Sequence, residues 1–275
     1  MAENLTLMAV HAHPDDEASS TGGVLAHYSA AGVRTVVVTC TNGEFGDAPG
    51  QVKPGQEGHD EQAVAQLRLD ELRQSAKILG VSHLELLGYH DSGMPEWEYR
   101  NRPDAFCNIP LDVVAGRITA LIEQYRPQVV VSYDPMGAYQ HPDHVHAARA
   151  AAAASAASPI PAKFYQIAMR RSGWRKVREA LIAAGEDVDE WEETPEDREK
   201  MELEEQRITT TIDISDVLAL KREALLSHAS QIADSWFSKI PADIAAEVFG
   251  QESFIRVTDR SGAPVPEDDL FAGLR

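Results

Sequence analysis

From residue 5 to residue 133 short apolar runs alternate with longer stretches of mixed polarity. Leu5 to Val10 and Val33 to Cys40 are apolar on consecutive positions and rich in β-branched side chains, the pattern of parallel strands covered on both faces. Glu17 to Gly32 lies between them, has helix-compatible composition and stops at a glycine, so this stretch reads as a βαβ unit. Val64, Leu67, Leu72 and Ala76 fall near helical spacing and predict a helix over 60–79 that ends at Gly80, followed by a strand from His83 to Leu87. A second amphipathic helix is predicted over 111–125, closed by Arg126-Pro127 before a strand at 128–133. The intervening stretches, from Thr41 to about Gly58 and from Gly88 to Asn108, read as long loops, and loops of that length invite a functional explanation.

Four strands alternating with helices predict an α/β fold, a Rossmann-like, mainly parallel twisted sheet with helices on its faces. Beyond it, an alanine-rich helix is expected over 146–157 and a strand from Lys163 to Met169. Ile208 to Ile214 alternates like an edge strand, and 216–229 reads as helix. A short strand at 253–257 then precedes an extended stretch over 264–275. The expected organisation is one domain over 1–275, with a core at 1–155 and a smaller C-terminal α+β part at 156–275. Residues 186–205 carry twelve acidic side chains around Trp191 and read as a solvated helix pair or mobile insertion, or alternatively as an acidic recognition lid.

Charge narrows the partners. A formal net charge of -19 over 275 residues argues against nucleic acid and anionic membrane surfaces, which need a positive face. A small-molecule substrate fits better, and a homo-oligomer stays open. The two cysteines, Cys40 and Cys107, have no metal-site or redox spacing and are expected to be reduced. No basic segment followed by an apolar one opens the sequence, and no apolar run approaches the roughly 20 residues that span a bilayer, so the expected compartment is the cytoplasm.

The chemistry is concentrated in two clusters, His13-Pro14-Asp15-Asp16-Glu17 and His141-Pro142-Asp143-His144, each just after a predicted strand. In open α/β sheets ligands bind beyond the carboxyl ends of strands, so both clusters fall where a site is expected. His13 and Asp16 can bind one ion, and His144 completes a two-histidine, one-carboxylate set that suits zinc and leaves a position for water. Iron(II) uses the same ligands. Asp15 cannot face the ion together with its neighbour Asp16 without a bend, which Pro14 helps to fix, and so becomes the general base. A His141 cation paired with Asp143 is the candidate acid or oxyanion partner, with Tyr139 as a further hydrogen-bond donor. His11 and His146 read as structural. No G-x-G-x-x-G follows the first strand, which disfavours a dinucleotide.

Together, Ala12 to Glu17 and His141 to His144 resemble the motifs of the LmbE/PIG-L-type zinc N-deacetylases, and the resemblance continues through Thr39 to Gly46, Arg68 to Leu72, Asp91 to Met94 and Tyr133 to His146. It implies removal of an N-acyl group from a glucosamine-containing substrate, with zinc on His13, Asp16 and His144, Asp15 as base, and Tyr139, His141 and Asp143 assisting. It also implies Arg68 and Asp91 on sugar or inositol hydroxyls and Glu44 and Met94 lining the pocket. Within the family the sequence is similar to the mycothiol branch, which contains a deacetylase of N-acetylglucosaminyl-inositol and an amidase of mycothiol S-conjugates. Asp104 to Leu111, Ser227 to Ile232 and Leu270 to Gly273 are similar to the amidase, whereas Ala18-Ser19-Ser20 stands where the amidase has a lysine. A reading of another class is a sugar-binding protein that keeps the metal cluster without turnover.

Overall fold

The computed structural model describes residues 5–170, 173–186, 188, 194, 199, 202–232 and 239–275. The first apolar run forms β1 (Thr6–His11), buried at every position. Helix α1 (Asp16–Ala30) returns the chain to β2 (Arg34–Thr41), and α2 (Glu61–Ile78) leads to β3 (His83–Tyr89). After α3 (Leu111–Tyr125) come β4 (Val129–Ser132), α4 (Pro142–Ala157) and β5 (Lys163–Ala168). Beyond β5 lie α5 (Trp174–Ala183), β6 (Thr210–Asp213), α6 (Leu218–Ser227), α7 (Ala242–Phe249) and β7 (Gln251–Asp259), and single helical turns occur at Gly137–Gln140 and Ala229–Ile232.

The result is a mixed α/β fold around a seven-stranded sheet in the order β3-β2-β1-β4-β5-β7-β6. From β3 to β5 all pairings are parallel, whereas β7 runs antiparallel to both β5 and β6. Alternate side chains of β1 enter two cores: Leu7 and Ala9 face α1 and α6, while Met8 and Val10 face α3 and α4. That two-sided burial explains the unbroken apolar runs. The alanines of α4 suit the second core, because Ala147, Ala151 and Ala154 are fully buried and let the helix backbone approach the α3 side chains Ile118 and Ile122.

Several expectations change in the C-terminal part. β6 is at the sheet edge as its alternation suggested, but the expected short strand at 253–257 is a nine-residue strand inside the sheet. Its register, Lys163 with Asp259 and Thr210 with Phe254, joins residues far apart in sequence. The helix expected over 146–157 begins at Pro142, where proline supplies a first-turn residue with a ready-made φ. α5 and α7 were not anticipated, and two 3-10 turns, Glu98–Asn101 and Phe106–Asn108, occupy the loop after β3. The stretch 264–275 is not simply extended: Leu270 and Phe271 are fully buried, with Phe271 edge-on to Tyr28 of α1. Most of the acidic segment 186–205 lies outside the described residues. Among the described residues no helix is long and apolar enough to cross a membrane.

Candidate active site

β1 has sequential neighbours on one side and β4 on the other, so the chain order reverses beside it. Both clusters emerge at this crevice, at the carboxyl ends of β1 and β4. The exit from β1 is clamped from both flanks. Ala12 N–H donates to the Tyr133 hydroxyl at 2.8 Å, and Thr41 gives the Ala12 carbonyl its N–H at 2.8 Å and its hydroxyl at 3.0 Å. Three residues later Asp15 adopts φ 114° and ψ -26°, a left-handed conformation that costs a non-glycine residue about 1–3 kcal/mol. The bend that separates Asp15 from Asp16 therefore sits on Asp15 itself rather than on Pro14.

His13, Asp16 and His144 come together as expected. His13 Nδ1 lies 3.2 Å from His144 Nε2 and 3.4 Å from Asp16 Oδ2, and His144 Nε2 lies 3.4 Å from Asp16 Oδ1. Donors about 2.0–2.1 Å from a tetrahedral ion stand about 3.3 Å apart; the His13 and His144 nitrogens stand near that separation, and each meets a different oxygen of Asp16. His13, His141 and His144 form a further group able to hold a metal, as do His13, Asp91 and Asp143. Asp16 is fixed independently, since its Oδ2 accepts from His13 N–H at 2.8 Å and from the Tyr133 hydroxyl at 2.7 Å. Burial opposes its charge, but His144 and His13 outweigh burial and hold Asp16 well below the usual carboxylate range. Burial likewise opposes the His13 cation, and Asp91, Asp143 and Asp16 overcome it, raising His13 well above its ordinary value. His144 is pushed down to about 4, chiefly by burial.

The second cluster divides its work differently from the expectation. Asp143 does not pair its carboxylate with His141. Its Oδ2 faces His13 Nε2 at 3.2 Å and accepts the Ser92 N–H at 2.9 Å, while the Ser92 hydroxyl donates to Oδ1. Asp143 thus stands behind the His13 imidazole, where a carboxylate fixes a ring's tautomer and orientation. Only the backbone N–H of Asp143 reaches His141, donating to Nδ1 at 3.2 Å as the cap of α4. A neutral His141 then carries its proton on Nε2. Burial first, and then the neighbouring His13 and His144, lower its pKa to about 2, so the expected His141 cation is replaced by a neutral donor.

Tyr139 is 59% exposed, with its ring 5.0 Å from that of His144 and 5.8 Å from that of His141. Gly137 makes this approach: it has φ 61°, and a Cβ there would lie 2.6 Å from Val145 N and 2.8 Å from His144 Cβ. Asp15 keeps 24% of its side chain exposed at the crevice, and Arg68 Nη2 donates to its Oδ2 at 3.0 Å. Burial raises the Asp15 pKa to about 6 against the lowering effect of Arg68. Arg68 is itself buried, with its other donors on the Pro14 and Gly43 carbonyls at 2.6 and 2.7 Å. Gly43 has φ 69°, which favours glycine, and a Cβ there would stand 2.5 Å from Arg68 Nη1 and displace it.

Asp91 is buried beside His13 Nε2 at 3.7 Å, with Oδ1 accepting the Gly93 N–H at 2.7 Å. Glu44 is buried and bonded to His90 Nδ1 at 2.6 Å, and its pKa is raised by burial. Met94 is half-buried two residues beyond Ser92. Sequence reasoning missed Tyr133, Ser92 and His228, and gave Glu17 no role of its own within the first cluster. Tyr133 closes the apolar run of β4 and Ser92 stands in the Asp91-Ser92-Gly93-Met94 stretch, so position was a usable signal for both. Glu17 and His228 meet at 2.8 Å across 211 residues, for which no local signal exists.

Fold and site together define a doubly wound α/β protein with a two-histidine, one-carboxylate cluster at its switch point and a further carboxylate alongside. Residues 8–155 match the family described as PIG-L: GlcNAc-PI de-N-acetylase, and the chain belongs to that family. It is 37% identical over 98% of its length, and 95% of the relative's, to the 1D-myo-inositol 2-acetamido-2-deoxy-alpha-D-glucopyranoside deacetylase of Acidothermus cellulolyticus. To the mycothiol S-conjugate amidase of Streptomyces coelicolor it is 32% identical over 100% of its length and 99% of the relative's. The N,N'-diacetylchitobiose deacetylase of Pyrococcus horikoshii shares the fold at a TM-score of 0.63 and 20% identity, over 93% of this chain and 84% of that one.

Proposed function

We propose that the chain is a zinc-dependent amide hydrolase that removes the acetyl group from a small glucosaminide, with N-acetylglucosaminyl-inositol as the favoured substrate. The observation that carries this reading is the meeting of His13, Asp16 and His144, their side chains 3.2 to 3.4 Å apart in pairs, beside Asp15, a carboxylate raised to about 6. The whole-length similarity to an enzyme of that name supports the substrate. The two free cysteines accord with a cytoplasmic setting. The sheet's continuity from β3 to β6 supports one domain over 1–275.

His13, Asp16 and His144 would hold the ion, which when bound supplies a Lewis acid that polarises an acyl carbonyl and acidifies water. Asp15, steered by Arg68, accepts the proton of the attacking water and returns it to the departing amine, so amide and water become carboxylate and amine. His141 donates Nε2–H, and Tyr139 its hydroxyl, to the oxygen on which charge develops. Asp143 holds the His13 ring. Asp91, Glu44 and Met94 line the approach and supply the sugar contacts.

The zinc-loaded protein is expected to release free amine from N-acetylglucosaminyl-inositol. Full metal occupancy without amine release from any N-acyl glucosaminide would overturn the reading in favour of a binding protein. The mycothiol S-conjugate amidase reading rests on the equally complete similarity to that enzyme. Comparing release rates from the inositol glycoside and a mycothiol conjugate decides between them.

A further inference from the structure

Asp15 is gripped twice. Arg68 holds its carboxylate, while its backbone N–H donates to Glu17 Oε2 at 3.0 Å. Glu17 is fully buried in the first turn of α1, and its other oxygen, Oε1, meets His228 Nε2 at 2.8 Å and accepts the Ser75 hydroxyl. His228 is equally buried and belongs to the part of the chain beyond the matched residues 8–155. The turn that follows it is tied to the site's other loop, because Gln231 accepts the Asp47 N–H at 3.1 Å and donates to the Asp47 carbonyl at 3.0 Å.

A buried carboxylate–imidazole pair inside a helical layer is ordinarily only a core ion pair. This one sends its free oxygen to the N–H of the residue that carries the left-handed backbone beside the metal donors. We infer that the Glu17–His228 pair is a positioning device for Asp15, holding the strained turn that separates its carboxylate from Asp16 and presents it to Arg68. The inference rests on the reading of Asp15 as the proton acceptor. It also assigns a task to the C-terminal part, which supplies none of the three proposed donors His13, Asp16 and His144 but braces the base from behind.

Two conservative variants separate reach from charge in the zinc-loaded full chain. Glu17→Gln keeps the reach, since its amide oxygen still accepts the Asp15 N–H and a changed His228 tautomer satisfies the amide nitrogen. Glu17→Asp keeps the buried negative charge but is one methylene short of Asp15. With zinc content unchanged, Glu17→Asp is expected to lose about 100-fold in kcat, the effect of a misplacement of about 1 Å, with KM within about threefold of wild type. Glu17→Gln is expected to stay within about tenfold of wild-type kcat. In a crystal structure of Glu17→Asp the Asp15 carboxylate should stand displaced from Arg68. Glu17→Asp turning over like an active wild type, or an Asp15 that has not moved, overturns the inference. So does the failure of both variants to fold, which would make the pair a plain element of the core. A wild type that hydrolyses no amide refutes the proposed function instead, and the position of Asp15 in the variant still decides this inference.

Discussion

Asp15 and Asp16 are adjacent carboxylates in opposite electrostatic situations. Asp16 is held well below the usual range by His144 and His13, while burial lifts Asp15 to about 6. The first therefore stays an anion fit for a cation, and the second can exchange a proton near neutrality. Asp15→Ala is expected to keep its metal and lose about 100- to 10,000-fold in kcat, the usual contribution of a general base. Metal analysis beside steady-state kinetics checks it. The pH profile follows with a definite sign: the base works deprotonated, so kcat/KM falls as pH drops through an apparent pKa at or below about 6. A cation on the neighbouring donors favours the carboxylate and moves that limb downward. An acid limb of this kind that persists unchanged in Asp15→Ala would remove Asp15 from the role.

Elements differ in how far their residues announce them. β1 and β2 are covered on both faces and show it as consecutive apolar residues, and the turn after β1 carries His13 and Asp16, so the framework and the place of this cluster were legible together. The partners of Asp143 were not. His141 is its near neighbour in sequence, yet the carboxylate turns to His13 and Ser92, contacts set by the packing of α4 against β1 and the loop after β3. The place of β7 was hidden too, because pairing, not composition, puts it between β5 and β6. That region is fastened by Glu267, whose carboxylate binds Lys163 Nζ at 2.5 Å, Tyr165 at 2.9 Å, Thr210 at 2.8 Å and Arg256 at 2.7 Å. Lys163 is completely buried. Glu267→Ala leaves that ammonium without its partner and is expected to cost about 3–5 kcal/mol in denaturant unfolding, with the metal site intact. A loss below about 1 kcal/mol would show that water or another carboxylate takes over.

The whole molecule carries a net charge of -19, which sets a long-range preference without touching the chemistry. A negative field repels anionic substrates, and salt screens it over about 10 Å at 0.1 M. Raising salt from about 10 to 200 mM should therefore increase kcat/KM for an N-acyl glucosaminide with an anionic aglycone and leave a neutral one nearly unchanged. Equal responses from both substrates, measured at fixed pH, would show that the charge lies too far from the crevice to matter.

The insertion of β7 between β5 and β6 also bears on how the chain comes off the ribosome. While residues 251–271 are still to be made, β5 has one open edge, Lys163 has no carboxylate, and the surface of α1 that receives Phe271 is bare. Residues 5–170 already contain His13, Asp16 and His144 at that moment, yet they display a strand ready to pair with a stranger. A nascent or truncated chain can thus have the makings of the site and still aggregate, and full-length synthesis turns an adhesive intermediate into an enzyme-like fold.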